Sequence, residues 1–421
     1  MKLRYLISII IFIAIIAFFS IYSLFDKDNI FTEAENRELA TMPKFSAQGY
    51  VDASFMGNFE TYYNDQFPFR DKFISLSKLY NKLFFPNALI SEDDVIELPP
   101  TNVSAGQPSG DNATAEEFTT GGMIYKNRMM EVFKYNSSVI NRYSTIVNKL
   151  YEECGKPDTY VLIPTPAFTL YAPDEKLTEE TDFYKAIAEL KASLNGPKLV
   201  DLTKIFESKK DEYIYFKTDH HWNARGAYYA CNEFLKAAEN QSLKPLSSYK
   251  SGKRDNYLGS LYNSIKDQPA SAILEKSPDF VEYFYPFAKA TVKSYTGSAM
   301  TDPSERKLIY PEYEKSDLYH VYMGGDIPLG LIETETKNGK SILVVRDSYG
   351  HAFIPFLVDA YETIYLLEPR YFNTATAKFE LGEFFIEHEV DTLLFLGYPN
   401  MSIGTYWYQI AKDYEALVNT P

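Results

Sequence analysis

The stretch from residue 341 to 396 narrows the possible folds of this chain more than any other. Three apolar runs, 341–345, 363–367 and 392–396, alternate with segments of helical pattern near 351–360 and 377–389. A strand with one wet face alternates apolar and polar side chains. These runs do not, so each must be covered on both faces. Strand, helix, strand in repetition then means a parallel sheet between two helical layers. The same rhythm appears earlier. Val139, Ile140, Tyr143, Ile146, Val147 and Leu150 recur at helical spacing within 132–150, and a buried strand at 159–163 ends at Pro164. A helix at 182–194, a strand at 198–202, a short aromatic strand at 213–216 and a helix at 224–239 follow. The expected fold class is α/β, three-layered, over residues 123–421.

The interval 245–339 breaks the rhythm. It is rich in Tyr, Ser, Lys and Asp, with strand-like pieces at 280–284 and 291–295, and is expected to be a β-containing insertion over the site. Residues 97–122 shift to Pro, Thr, Ser, Gly, Asn and Ala and read as a mobile linker or insertion. Residues 29–96 read as a helical neck: Phe55, Phe59 and Tyr62 or Tyr63 share one face, Pro68 breaks the run, and Phe73, Leu76, Leu79 and Leu83 start a second. Before the neck, Lys2 and Arg4 precede an apolar run over residues 6–25, closed by Asp26, Lys27 and Asp28. About twenty such residues cross a hydrocarbon layer of ~30 Å. No Ala-x-Ala pattern follows, so residues 1–28 are expected to be an uncleaved signal anchor with the rest outside the cytoplasm; a cleaved signal peptide is the alternative.

Composition sets outer limits. The chain has 421 residues, 45% of them hydrophobic, enough for a large core and two or three units. A formal net charge of -15 argues against a nucleic-acid partner, which would be repelled. Aromatic residues reach 16%, and either supply faces that stack on sugars or reflect a Tyr/Phe habit of the source. Cys154 and Cys231 are too few for a framework; they form one disulfide or remain two buried thiols.

Two segments carry the readable chemistry, Thr218-Asp219-His220-His221-Trp222-Asn223 and Arg346-Asp347-Ser348-Tyr349-Gly350. Each is expected beyond the carboxyl end of a strand, where ligands of open α/β sheets gather. A serine at a strand-to-helix turn lifts its hydroxyl clear of the sheet, and Gly350 would allow close approach to a ligand. The hydroxyl is a poor nucleophile unless a base takes its proton, and the base needs a partner to fix its tautomer. Only five histidines occur, and two adjoin here. Each segment also has a plainer reading, a helix start capped by Thr218 or Asp219 and one capped by Asp347 or Ser348. A metal site is disfavoured because adjacent histidines rarely aim at one ion, and His320, His351 and His388 show no ligand spacing to them.

Thr-Asp-His-His-Trp-Asn resembles the signature of the DHHW protein family, relatives of the alginate O-acetyltransferase proteins with an SGNH/GDSL-hydrolase-like domain. The resemblance extends to Glu35-Asn36-Arg37-Glu38-Leu39-Ala40 with Pro43, to Asn64-Asp65-Gln66-Phe67-Pro68-Phe69-Arg70-Asp71, to Gly259 through Tyr262, and to Glu368-Pro369-Arg370-Tyr371-Phe372. It implies an SGNH-like sheet, Asp219 and His221 as acid and base, Ser348 as nucleophile, and Arg370 as a site arginine. The family pattern is Asp-x-His and here x is itself histidine, so the choice of His221 over His220 rests on family spacing. Arg370, Tyr349, Trp222 and His220 are the candidates for touching substrate, with Trp222 expected mainly to pack beneath the histidines. Asn400 is a weaker candidate for an oxyanion contact. The expected activity is O-acetyl transfer or ester hydrolysis on cell-surface or exported polysaccharide, without cofactor or metal, with a membrane-bound acyltransferase as acyl donor if transfer predominates. A polysaccharide-binding module on the same fold is the alternative.

Overall fold

The computed structural model describes residues 2–412 except 24, 30, 33–36, 47–49, 51–53, 71, 74–75, 77–79, 81–93, 103–118, 314–316, 373–377, 402–406 and 408–409. The chain divides into two compact units, Met1–Leu89 with Lys266–Pro269, and Ile90–Ile265 with Ala270–Pro421.

The first unit begins with a helix, Lys2–Ser23, of 22 residues, in which Ile10, Ile11, Phe12, Ile13, Phe18 and Ile21 are exposed. Counting only the described residues, no helix is long and apolar enough to cross a membrane. Two short strands, β1 (Phe31–Thr32) and β2 (Arg37–Glu38), pair antiparallel, and a helix spans Ser54–Asp65. Phe55, Phe59 and Tyr62 meet ring to ring along it, as their spacing requires. The motif residues after it act as a clip. Asp65 accepts from the Ala40 N–H at 2.8 Å, while the Gln66 side chain accepts from the Asn29 N–H and donates to the Asn29 and Ala40 carbonyls, each at 2.9 Å. Of the second expected helical run, Leu79 and Leu83 lie outside the described residues.

The second unit carries the remaining strands: β3 (Ile96–Asn102), β4 (Thr119–Tyr125), β5 (Arg128–Glu131), β6 (Asp158–Leu162), β7 (Lys198–Val200), β8 (Lys250–Tyr257), β9 (Asp279–Tyr285), β10 (Ala290–Tyr295), β11 (Ser304–Arg306), β12 (Leu329–Thr334), β13 (Ser341–Arg346), β14 (Thr363–Leu367) and β15 (Thr392–Leu396). Eight form one sheet in the order β11-β10-β12-β14-β13-β15-β6-β7. Neighbours from β14 to β7 run parallel, and β12, β10 and β11 extend the sheet antiparallel. Strand alternation sends Ile342 and Val344 of β13 and Leu394 and Leu396 of β15 into one core, and Leu343, Val345, Leu393 and Phe395 into the other. All eight side chains are fully buried, and each contributes about 1.5–3 kcal/mol. The first core is closed by the helices Ala224–Glu239 and Gly350–Leu357, the second by Ser137–Glu153, Phe183–Ser193 and Leu381–Glu387. The architecture is mixed α/β around a large, mostly parallel sheet.

The structure departs from the expectations in three places. Residues 213–216 are not a sheet strand: Tyr215 makes one isolated bridge to Trp222, and the buried Arg128 guanidinium donates to the carbonyls of Tyr215 and Phe216. Within 245–339, β10, β11 and β12 join the main sheet, while the β8-β9 pair and the helices Ser260–Ile265 and Ser271–Glu275 stand apart from it. Strands β3 and β4 occupy both ends of the expected linker at 97–122 and pair with each other; residues 103–118 lie outside the described residues. Of the two readings open for the cysteines, the structure holds the second: Cys154 and Cys231 are buried free thiols packed in different cores.

Candidate active site

The Asp219 to His221 segment sits in a loop entering the helix Ala224–Glu239. Asn223 is the cap of that helix, its side chain accepting from the N–H groups of Arg225 and Gly226, which leaves Thr218 and Asp219 free for other partners. Asp279 of β9 fixes the start of the loop, accepting from Tyr213 OH (2.7 Å), the Lys217 N–H (2.9 Å), the Thr218 N–H (2.7 Å) and Thr218 Oγ1 (2.6 Å). Thr218 Oγ1 in turn accepts from the Gly259 N–H at 2.9 Å. A Cβ on residue 259 would stand 2.4 Å from the Asp219 Cβ, so the position has room only for glycine.

Ser348 lies two residues beyond β13, at its carboxyl end. The turn closes through Asp347, whose Oδ1 accepts from the Tyr349 N–H at 2.8 Å and whose carbonyl accepts from the Gly350 N–H at 3.1 Å. Gly350 makes space for the protein itself rather than for a ligand: a Cβ there would lie 2.6 Å from Arg346 Cδ. Arg346, wholly buried, donates to the Ile327 carbonyl at 3.0 Å and lies 3.5 Å from Glu368. Glu368 is gripped at 2.9 and 3.0 Å by Arg370, whose Nη2 is 3.6 Å from Asp326. Asp326 Oδ1 is 3.1 Å from His351 Nε2. This buried ionic floor beneath the turn explains why Arg346 and Glu368 through Arg370 accompany Ser348.

The two segments meet. His221 Nε2 is 2.7 Å from Ser348 Oγ, and His221 Nδ1 is 2.7 Å from Asp219 Oδ1. Asp219 Oδ1 also accepts from the His221 N–H at 2.9 Å, and its Oδ2 accepts from Tyr257 OH (2.7 Å) and the Ser260 N–H (2.9 Å). A carboxylate on Nδ1 makes that nitrogen the donor, so Nε2 is left to accept from the serine hydroxyl. The Tyr319 ring stacks on His221 at 3.9 Å and 7°, and its hydroxyl donates to the Ser348 carbonyl at 2.9 Å.

Charge follows from these contacts. Burial pushes the Asp219 carboxyl up, but the facing His221, its hydrogen bond, His220 and the Ser260 N–H outweigh burial and hold Asp219 well below the usual range. Burial first, then the charge on His221, lowers His220. Burial and the Glu368 charge push Asp347 up to about 7. Burial drives His351 down to about 3.

The remaining candidates are placed unequally. His220 turns from Ser348 to Ser260 Oγ, 2.7 Å from its Nδ1, and with Glu131, Tyr349, Tyr398 and Asn400 lines a cleft of about 20 Å³, room for about one water. Tyr349 is buried, its hydroxyl on the His220 carbonyl at 2.5 Å. Trp222 is fully buried, donates to the Tyr349 carbonyl at 3.0 Å and stacks on Phe353. Arg370 is buried in the ionic floor. Asp219, His220 and His221 each place a potential ligand atom within 4.8 Å of the others, but both Nδ1 atoms already face hydrogen-bond partners. The sequence reading passed over Tyr257, Tyr319, Ser260 and Asp279, although Ser260 lies inside the Gly259 to Tyr262 match.

Fold and site together define a mixed α/β protein that carries a serine, a histidine and an aspartate in one hydrogen-bonded row at the end of a parallel strand. The chain belongs to the DHHW protein family, whose model matches residues 85–367. A DHHW family protein from Eubacterium siraeum superposes with a TM-score of 0.58 at 23% identity, over 72% of this chain and 95% of that one. Bacillus cereus PatB1, solved with a sulfonyl adduct, superposes with a TM-score of 0.54 at 17% identity, over 68% and 96%. These likenesses show the fold. No curated protein matches the chain.

Proposed function

We propose that this chain is a serine O-acetyltransferase or acetylesterase acting on cell-surface or exported polysaccharide, held at the outer side of the membrane by residues 1–28. The observation that carries the reading is the unbroken row from Asp219 through His221 to Ser348, each link at 2.7 Å. Ser348 Oγ attacks the acyl carbonyl carbon while His221 Nε2 takes its proton, and Asp219 orients the imidazole and stabilises its charged form. The tetrahedral intermediate collapses to an acyl-serine as His221 returns the proton to the departing oxygen. A sugar hydroxyl, or water, then attacks the acyl-serine, again giving its proton to His221.

Further support comes from the setting. PatB1, of like fold, carries a sulfonyl adduct in its solved structure, and sulfonyl electrophiles capture activated hydroxyls. A depression of about 610 Å³ in the same unit, lined by Tyr125, Arg128, Tyr171 and Lys217 among others, is large enough for a stretch of polymer and offers it two tyrosines. The acyl donor in the transfer reading is a membrane-bound acyltransferase. The test is release of acetate from 4-nitrophenyl acetate and from acetylated xylan by the wild type and Ser348→Ala. Loss of about 10⁴-fold is expected, and equal turnover would leave a non-catalytic polysaccharide-binding module as the reading.

A further inference from the structure

The oxygen of Tyr257 lies 2.7 Å from Asp219 Oδ2 and 3.1 Å from Asp317 Oδ1, and the side chain is fully buried. A phenol has one proton to give, and two carboxylates face it. The shorter contact takes the hydrogen to Asp219, while Asp317 competes for it. Burial, with both carboxylates adding, raises the Tyr257 phenol well above its ordinary range, so it remains a donor. Asp317 is half-exposed, accepts from the Tyr319 N–H at 3.1 Å, and has His320 Nε2 at 3.7 Å behind it. It therefore touches both supports of His221: the phenol on Asp219, and the turn that holds the stacked Tyr319 ring.

We propose that Tyr257 is a positioning residue that sets how strongly Asp219 supports the charged form of His221, and that Asp317 tunes this by competing for the phenol proton. The proposal rests on the reaction at Ser348 proposed above. A carboxylate that receives a strong hydrogen bond has less negative charge to offer its imidazole, and one that loses that bond has more. Among the described residues, the groups facing the pair include Asp219 and His220 from the same loop, Tyr319 from the Leu318–Val321 turn, Tyr349 beyond Ser348, and Tyr257 with Asp317 and His320 behind Asp219.

The test is the pH profile of kcat/KM for 4-nitrophenyl acetate with the full chain. Tyr257→Phe removes a donor from Asp219 and is expected to move the acid limb up by about half to one pH unit. It lowers turnover on that limb by about three- to ten-fold while KM holds. Asp317→Asn keeps an oxygen for the Tyr319 N–H but removes the competing charge, committing the phenol to Asp219, and moves the limb down. Opposite shifts are a signature that a merely structural role does not produce. Shifts of the same sign, or an unmoved limb in either folded variant, overturn the proposal; should Tyr257→Phe fail to fold, the Asp317→Asn limb decides alone. Turnover that survives Ser348→Ala defeats the underlying reaction instead, so the two failures are distinct.

Discussion

Asp347 stands next to Ser348 with Oδ1 on the Tyr349 N–H and with Oδ2 buried and unpartnered among the described residues. Burial and the Glu368 charge raise its carboxyl to about 7, whereas an unfolded aspartate titrates near ~3.9. Between those values the folded chain holds a proton that the unfolded chain has lost. Stability contributed by this residue is therefore greatest in acid and falls as pH rises from about 4 to about 7. Asp347→Asn, a fixed mimic of the protonated form, should gain on the wild type by about 2–4 kcal/mol across that window in paired urea titrations. A constant difference between the two would refute the assignment. At the same scale, the histidine segment of the hydrogen-bonded row was legible because the chain has only five histidines and two adjoin, while the choice of His221 over His220 rested on family spacing. Tyr257 and Tyr319 were not legible: with 35 tyrosines, residue type singles out none, and Tyr319 lies 98 positions from the histidine it stacks on.

Elements differ in how much of them could be read. β13, β14 and β15 declared themselves because a strand buried on both faces has no polar positions, and their observed bounds fall within a residue of those expected. The segment 213–216 has the same apolar, aromatic look but stays outside the sheet, its carbonyls taken by Arg128 and Asn223, which no local pattern reveals. β10 to β12 were read as an insertion because antiparallel extension leaves no helix between strands to mark membership in the sheet. The turn after β8 offers a sharp test. Gly259→Ala would drive a methyl to 2.4 Å from the Asp219 Cβ, so it should cost about 1–3 kcal/mol in thermal or urea unfolding and reduce esterase turnover with it. An alanine variant of wild-type stability and activity would mean that the loop shifts at no cost.

At the scale of the molecule, the parallel sheet does what such sheets do, gathering side chains from distant sequence at strand ends. Asp219 and Ser348 are 129 positions apart, and a loop staple at Asp279 brings one to the other. Two whole-chain outcomes follow. Thiol titration of the denatured chain should find two thiols whether or not reductant is added first, since Cys154 and Cys231 are free and packed in different cores. The proposed anchor requires that protein extracted from membranes keep its first residues; N-terminal sequences beginning near Asp28 would replace the anchor with a cleaved signal. The central claim is that Ser348 is a hydroxyl activated by His221. Its most direct measurement is peptide mapping after reaction with phenylmethylsulfonyl fluoride: the account predicts a single adduct on Ser348, at least about a hundred-fold slower to form in His221→Ala. No adduct, an adduct on another serine, or equal labelling without His221 would contradict it.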